Sequence, residues 1–194
     1  MQQPFYLLTF TILLILSSCN SGPIPQTYTL QKALVSDKAM VVTAHPLATE
    51  VGLTILKKGG NAFDAAISVQ FALAVVYPVA GNIGGGGFMI SRTKDGELSA
   101  LDFREKAPQS AHRDMYLDTL GNVIEGLSTN AHLAAGIPGS VDGMFKIFEK
   151  HSHLKDLKQL IQPSIDLAEN GFYITAQQAI NLNSKQDAFK ECNT

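Results

Sequence analysis

The chain has 194 residues, 45% of them apolar, which is enough for one domain with its own core and excludes a disordered, highly charged chain. Its formal net charge of −2, with no basic patch, gives no electrostatic footprint for nucleic acid, and that class of partner is set aside. The two cysteines, Cys19 and Cys192, stand far apart in unlike contexts and form neither a disulfide framework nor a zinc-ligand cluster, so no metal and no cofactor is read.

The first element is a targeting segment. Phe5–Leu16 is an uncharged run of twelve nearly all apolar residues, short for a membrane span and right for a signal-peptide core. Leu16-Ser17-Ser18-Cys19 follows, and small residues directly before a cysteine resemble the bacterial lipoprotein processing site. Residues 1–18 thus read as a lipoprotein-type signal peptide, with Cys19 lipidated as the first mature residue of a periplasmic or cell-surface protein held on the membrane. Plain secretion and a retained membrane anchor are the alternatives. Residues 19–26, polar and rich in Pro and Gly, read as a tether. Residues 27–194 have globular composition without repeats.

Met40–Thr43 is a short β-branched run that predicts a strand. Pro46–Lys58 carries Leu47, Val51, Ile55 and Leu56 at helical spacing, and Gly59-Gly60 ends it. Asn61 is a natural N-cap for Ala62–Val76, an Ala-rich helix apolar nearly all round and therefore expected to be buried. Phe88–Arg92 and Glu97–Phe103 predict two strands joined by Lys94-Asp95-Gly96, a hairpin signal. Ala107–Gly136 reads as loop with a turn of helix at Arg113–Leu117. Pro138 is expected at the first position of a helix running to about Glu149. Leu154–Glu169 is amphipathic and closed by Asn170-Gly171, and Thr175 can cap a last helix. The chain stops at Cys192-Asn193-Thr194 without a closing signal and reads as interrupted. The pattern is α+β, with helices before and after an antiparallel pair.

Asn82-Ile83-Gly84-Gly85-Gly86-Gly87-Phe88-Met89 sets four consecutive glycines between a helix and a strand. Such a run is costly in backbone entropy and is retained where the chain needs positive φ or must lie against another group. It is no phosphate cradle: it lacks the Gly-Lys-Ser/Thr ending of a P-loop and enters a strand, where a dinucleotide fingerprint would open a helix. Alone, it reads first as a tight turn packed on the neighbouring helix. In Leu101-Asp102-Phe103-Arg104-Glu105-Lys106-Ala107-Pro108, Asp102 and Arg104 lie two apart on a strand and share one face. An arginine at a strand end can present its fork to a carboxylate through two parallel hydrogen bonds. Alone, it reads first as a partner for Asp102 or Glu105.

Together they read differently. AHPLATEVGLTILKKGGNAFDAAI, NIGGGGFM, LDFREKAP, RDMYLD and HLAAGIPGSVDG, in this order and spacing, resemble the large subunit of γ-glutamyltranspeptidases over about Met40 to Ala176. The resemblance implies an Ntn-hydrolase αββα sandwich, of which this chain is an incomplete N-terminal portion. It implies a precursor that cleaves itself into large and small subunits. A threonine exposed at the small subunit's N-terminus then attacks the γ-glutamyl amide of glutathione, and water or an acceptor amino acid or peptide resolves the acyl-enzyme. It implies that Arg104 grips the α-carboxylate of the γ-glutamyl donor, with Asp102, Glu105 and Gly84, Gly85, Gly86 and Gly87 as possible supports.

No paired-threonine cleavage motif occurs among Thr43, Thr49, Thr54, Thr93, Thr119, Thr129 or Thr175. The catalytic threonine is therefore expected beyond residue 194, the chain alone is expected to be inactive, and apolar surface is expected to stand exposed. The alternatives are a non-catalytic lipoprotein that keeps a carboxylate-binding half-site, and a relative of the cephalosporin side-chain acylases. Asp64, in the buried helix, reads as a structural hydrogen-bonding residue. His151 and His153 read as a surface loop, and His45, His112 and His132 as structural.

Overall fold

The computed structural model describes residues 34–192. The expected signal segment 1–18, the expected lipidation at Cys19, the expected tether 19–26 and Asn193-Thr194 lie outside the described residues. The chain divides into two units at Lys38 and Ala39. Of the first, residues 34–38 are described, with Leu34 and Val35 exposed. All that follows concerns the second.

Helix α1 (Pro46–Lys57) starts on His45, whose Nδ1 accepts the Leu47 N–H at 3.3 Å. It ends where Gly59 takes a φ of +92°, a conformation that favours glycine. Helix α2 (Ala62–Val76) opens on a capping box: Asn61 Oδ1 accepts the Phe63 and Asp64 N–H groups, and Asp64 Oδ2 accepts the Asn61 N–H. Strands β1 (Phe88–Arg92) and β2 (Leu98–Asp102) form an antiparallel hairpin with Phe88 opposite Asp102 and Arg92 opposite Leu98. Gly96, at φ +89°, makes its turn. Helix α3 (Ser140–His151), α4 (Leu157–Asn170), α5 (Ala176–Asn183) and α6 (Gln186–Cys192) complete the described order.

The predominantly apolar α2 sits at the centre, packed against α1, α3 and α4. One cluster joins Ile55, Ala65, Ile67, Phe103, Met144, Ile147 and Leu160, so the end of the hairpin is buried among four helices. A second joins Ala48, Val51, Ala72 and Val76, with Leu167 and Phe172 against it. Strand alternation points Met89 and Leu101 into the first cluster. The opposite face leaves Phe88, Ile90 and Leu98 exposed by 66%, 85% and 72%, which meets the expectation of open apolar surface.

Four expectations change. Met40–Thr43 is not a strand, because among the described residues no neighbour takes its ladder bonds. Val41 and Thr43 are half-buried: the Val41 side chain lies against Gly52, and Thr43 Oγ1 bonds His45 O and Thr49 Oγ1. Pro138 stands before the N-cap Gly139 and outside helix α3. Arg113–Leu117 is a turn, and the helical piece of that segment is a 3₁₀ turn at His132–Ala134. The last helix divides into α5 and α6 around Ser184 and Lys185.

Candidate functional site

The site is built on the end of β2 and the chain just beyond it. The strand stops at Asp102, but its ladder continues for one residue: Phe103 N–H donates to Gly87 O at 3.0 Å and Gly87 N–H to Phe103 O at 3.4 Å. Lys106 then pairs with Ile137 in an isolated antiparallel bridge. The segment 103–105 thus runs between the glycine loop on one side and residues 136–140 on the other.

The four glycines have separate jobs. None has positive φ, so close approach is what they provide. A Cβ on Gly86 would lie 2.7 Å from Arg104 Cα and 2.8 Å from Glu105 N. On Gly87 it would press into the Phe103 ring, and on Gly85 into the Asn82 side chain. On Gly84 it would meet nothing within 4 Å. The clamp closes from the far side with Gly139, where a Cβ would collide with Phe103 O and lie 2.9 Å from Arg104 O. Gly143, on α3, gives room for the Phe103 ring.

Gly85 O is the hub of this arrangement. It accepts the N–H groups of Gly139 at 2.8 Å and Ser140 at 3.0 Å, taking the place of the side-chain cap that α3 lacks. Ser140 Oγ adds a bond to Asn82 Oδ1 at 3.3 Å. Asn82, Gly139, Ser140 and the Phe103 ring were not singled out from sequence. The available signal was the spacing of Gly136, Gly139 and Gly143, which marks a second surface of close approach.

Arg104 therefore has a clamped backbone and an exposed side chain. Asp102 acts on its backbone: Oδ1 accepts the Arg104 N–H at 2.9 Å. Glu105 is exposed, with its Cβ beside Gly136. Among the described residues neither carboxylate forms an ion pair with the Arg104 guanidinium, which lies instead over the Phe88 ring, 5.7 Å from its centroid. Two surface hollows, one lined by residues from Ile124 to Ala131 and one between the hairpin and α3, do not include Arg104. What this stretch can do chemically is present a positive, five-donor fork from a rigid base to an anion arriving from solvent.

Asp64 is fully buried and ties α2 to the turn after α3. Its carboxylate accepts Ser152 Oγ–H at 2.5 Å and the N–H groups of His153 at 3.0 Å and Leu154 at 3.3 Å, besides that of Asn61. Burial alone would raise its pKa. The Ser152 hydroxyl and the three amides outweigh that and hold it below the ordinary carboxylate value. Asn61 Nδ2 donates to His151 O at 2.7 Å, and the His151 ring stacks on Phe63. His151, expected in a surface loop, is instead the last residue of α3 with its ring half-buried on Phe63, while His153 is exposed and joins through its backbone N–H alone.

Comparison with known proteins adds the following. The sequence profile of the family described as gamma-glutamyltranspeptidase matches residues 48–194. The chain is similar to the glutathione hydrolase proenzyme of Pseudomonas sp. (strain A14), 54% identical over 144 residues, covering 74% of this chain and 25% of that protein. It is similar to that of Escherichia coli (strain K12), 46% identical over 147 residues, covering 76% and 25%. Among solved structures, the Helicobacter pylori gamma-glutamyltranspeptidase superposes with a TM-score of 0.77 at 48% identity, covering 82% of this chain and 45% of that one. The chain spans about a quarter of the length of these curated relatives.

Proposed function

The chain belongs to the γ-glutamyltranspeptidase family, and from that premise we propose that it forms the first part of the large subunit of a γ-glutamyltransferase precursor, with Arg104 as the donor's carboxylate anchor. The observation that carries this reading is Arg104 itself: a rigidly based guanidinium, exposed, with neither neighbouring carboxylate paired to it. A two-pronged contact to the α-carboxylate of a glutamyl group would fix the donor's orientation and bring its γ-carbonyl to the nucleophile. In this reading glutathione or another γ-glutamyl compound is the donor, and the nucleophilic threonine and the second sheet of an αββα sandwich come from the small subunit. The uncovered hairpin face at Ile90 and Leu98, farther along the ladder from Arg104, suits a sheet packing onto it. The chain by itself is then inactive.

The test is Arg104→Lys in a precursor extended through its small subunit. Lysine keeps the charge and loses the fork, so the donor KM is expected to rise about 10- to 100-fold, corresponding to one or two lost charge-assisted hydrogen bonds. Unchanged steady-state kinetics in a correctly processed enzyme would overturn the assignment.

Export is part of the same proposal. Residues 1–18 would direct the chain out of the cytoplasm and Cys19 would carry the lipid. Cys19→Ser is expected to move the protein from the membrane fraction to the soluble one. Membrane partition that does not change would remove the anchor from this account.

A further inference from the structure

Phe88 opens β1 directly after the glycine loop, and its ring lies on the uncovered face of the hairpin. In the register it stands opposite Asp102, so Arg104, two residues on, is its diagonal neighbour across the ladder. Long side chains bridge that separation. Arg104 does so, with its guanidinium carbon 5.7 Å from the ring centroid. The Asp102 carboxylate is turned to the Arg104 backbone N–H, and among the described residues no carboxylate pairs with the guanidinium.

A ring and a carboxylate hold an arginine in chemically different ways. A ring attracts the cation over its own π face and does not compete as a carboxylate does for a pair of N–H donors. A carboxylate takes two of those donors, and an incoming anion must displace it. A guanidinium with neither partner moves among many rotamers, which binding must then freeze.

We propose that Phe88 is a positioning residue, whose ring holds the Arg104 guanidinium through a cation–π contact that engages no carboxylate, so that its N–H donors stay open to the α-carboxylate of an amino-acid donor. The proposal rests on the reading that Arg104 binds that carboxylate. It extends the function of the glycine loop: the loop sets the Arg104 backbone through Gly86, and the next side chain but one sets the guanidinium.

The experiment measures steady-state kinetics with a γ-glutamyl donor in the precursor extended through its small subunit. The variants are Phe88→Leu, Phe88→Tyr, Arg104→Ala and Phe88→Leu with Arg104→Ala. Phe88→Leu is expected to raise the donor KM about two- to fivefold with little change in kcat, the size of a half-exposed cation–π contact. Phe88→Tyr is expected to keep the parent KM, because its ring face is retained. In the Arg104→Ala background, Phe88→Leu is expected to add nothing. A parent-like KM for Phe88→Leu, a failure of Phe88→Tyr to preserve it, or the same rise without Arg104 would each overturn the proposal. If Arg104→Ala itself leaves KM unchanged, the carboxylate reading fails and the proposal falls with it. If Arg104→Ala raises KM and Phe88→Leu does not, the proposal alone fails. A second readout needs no donor: the Arg104 Hδ resonances of this chain are expected to be shifted upfield by the ring and to lose that shift in Phe88→Leu. Resonances that stay in place would overturn it as well.

Discussion

Asp64→Ala is expected to lower the unfolding free energy by about 3 kcal/mol or more. The side chain is fully buried, and its removal strips partners from Ser152 Oγ and from the N–H groups of Asn61, His153 and Leu154 together. Each unsatisfied buried donor costs about 1–3 kcal/mol, and water reaching the partly buried amides recovers some of that. Asp64→Asn is the informative companion. One oxygen can still accept the three amides, and the new NH₂ can donate to Ser152 Oγ, which already accepts the Lys155 N–H at 3.0 Å. Its cost is expected to be about half that of Asp64→Ala. Urea midpoints at unchanged m-value measure both. Equal stability of Asp64→Ala and the parent would show that the network contributes nothing.

The same carboxylate makes stability depend on acid. Its folded pKa is held below the unfolded value. The fold therefore favours the charged form, and the contribution is complete above the unfolded carboxylate pKa. It is lost as pH falls through the lowered folded value, because protonation takes up one of the acceptor sites. The parent is expected to lose stability over that acid window, and Asp64→Asn to lose less. Parallel pH profiles for the two would assign the acid sensitivity elsewhere.

Gly139→Ala is expected to be damaging for a different reason. At φ −116° any residue is allowed there, so the penalty is steric: the new Cβ would collide with the Phe103 carbonyl, which is backbone and cannot swing away. Overpacking against such a wall costs about 1–3 kcal/mol and sometimes more. The shift that relieves it also moves Arg104 O, the start of α3 and the Gly85 carbonyl that caps it. Gly86→Ala meets Arg104 Cα and the Glu105 amide from the other side and should behave similarly. Gly84→Ala meets nothing and is expected to stay within about 0.5 kcal/mol of the parent. Thermal or denaturant unfolding of the three variants gives the order directly. A Gly84→Ala as harmful as Gly86→Ala would mean that the loop is sensitive as a whole, with no particular contact responsible.

The hairpin was legible because Lys94-Asp95-Gly96 carries its own turn conformation and the flanking residues alternate. The ends of α1 and α2 were legible because caps act within three or four residues: Asn61 and Gly59 do their work on their immediate neighbours. The burial of α2 followed from an apolar surface too wide for one neighbour. One of the four bonds to the Asp64 carboxylate is local, the capping-box bond from the Asn61 N–H. Met40–Thr43 shows the limit of the same reasoning, since β-branched residues favour an extended backbone but a strand also needs a partner at its side.

The glycine run and Arg104 were visible at once, and together they pointed to the family that the chain belongs to. What the run is for was decided in three dimensions. Gly86 and Gly139, 53 positions apart in the chain, grip one stretch of backbone from opposite sides, while a Cβ on Gly84, identical in sequence terms, would meet nothing within 4 Å. Asp64 meets Ser152, His153 and Leu154 across 88 to 90 residues. Arg104 rests on Phe88 where Asp102 or Glu105 seemed the natural partner. Caps and turns are properties of adjacent residues, so composition and spacing carry them. A clamp, a buried carboxylate's donors and the resting place of a guanidinium are contacts between distant segments, and only the packing of the hairpin against the helices brings those segments within reach.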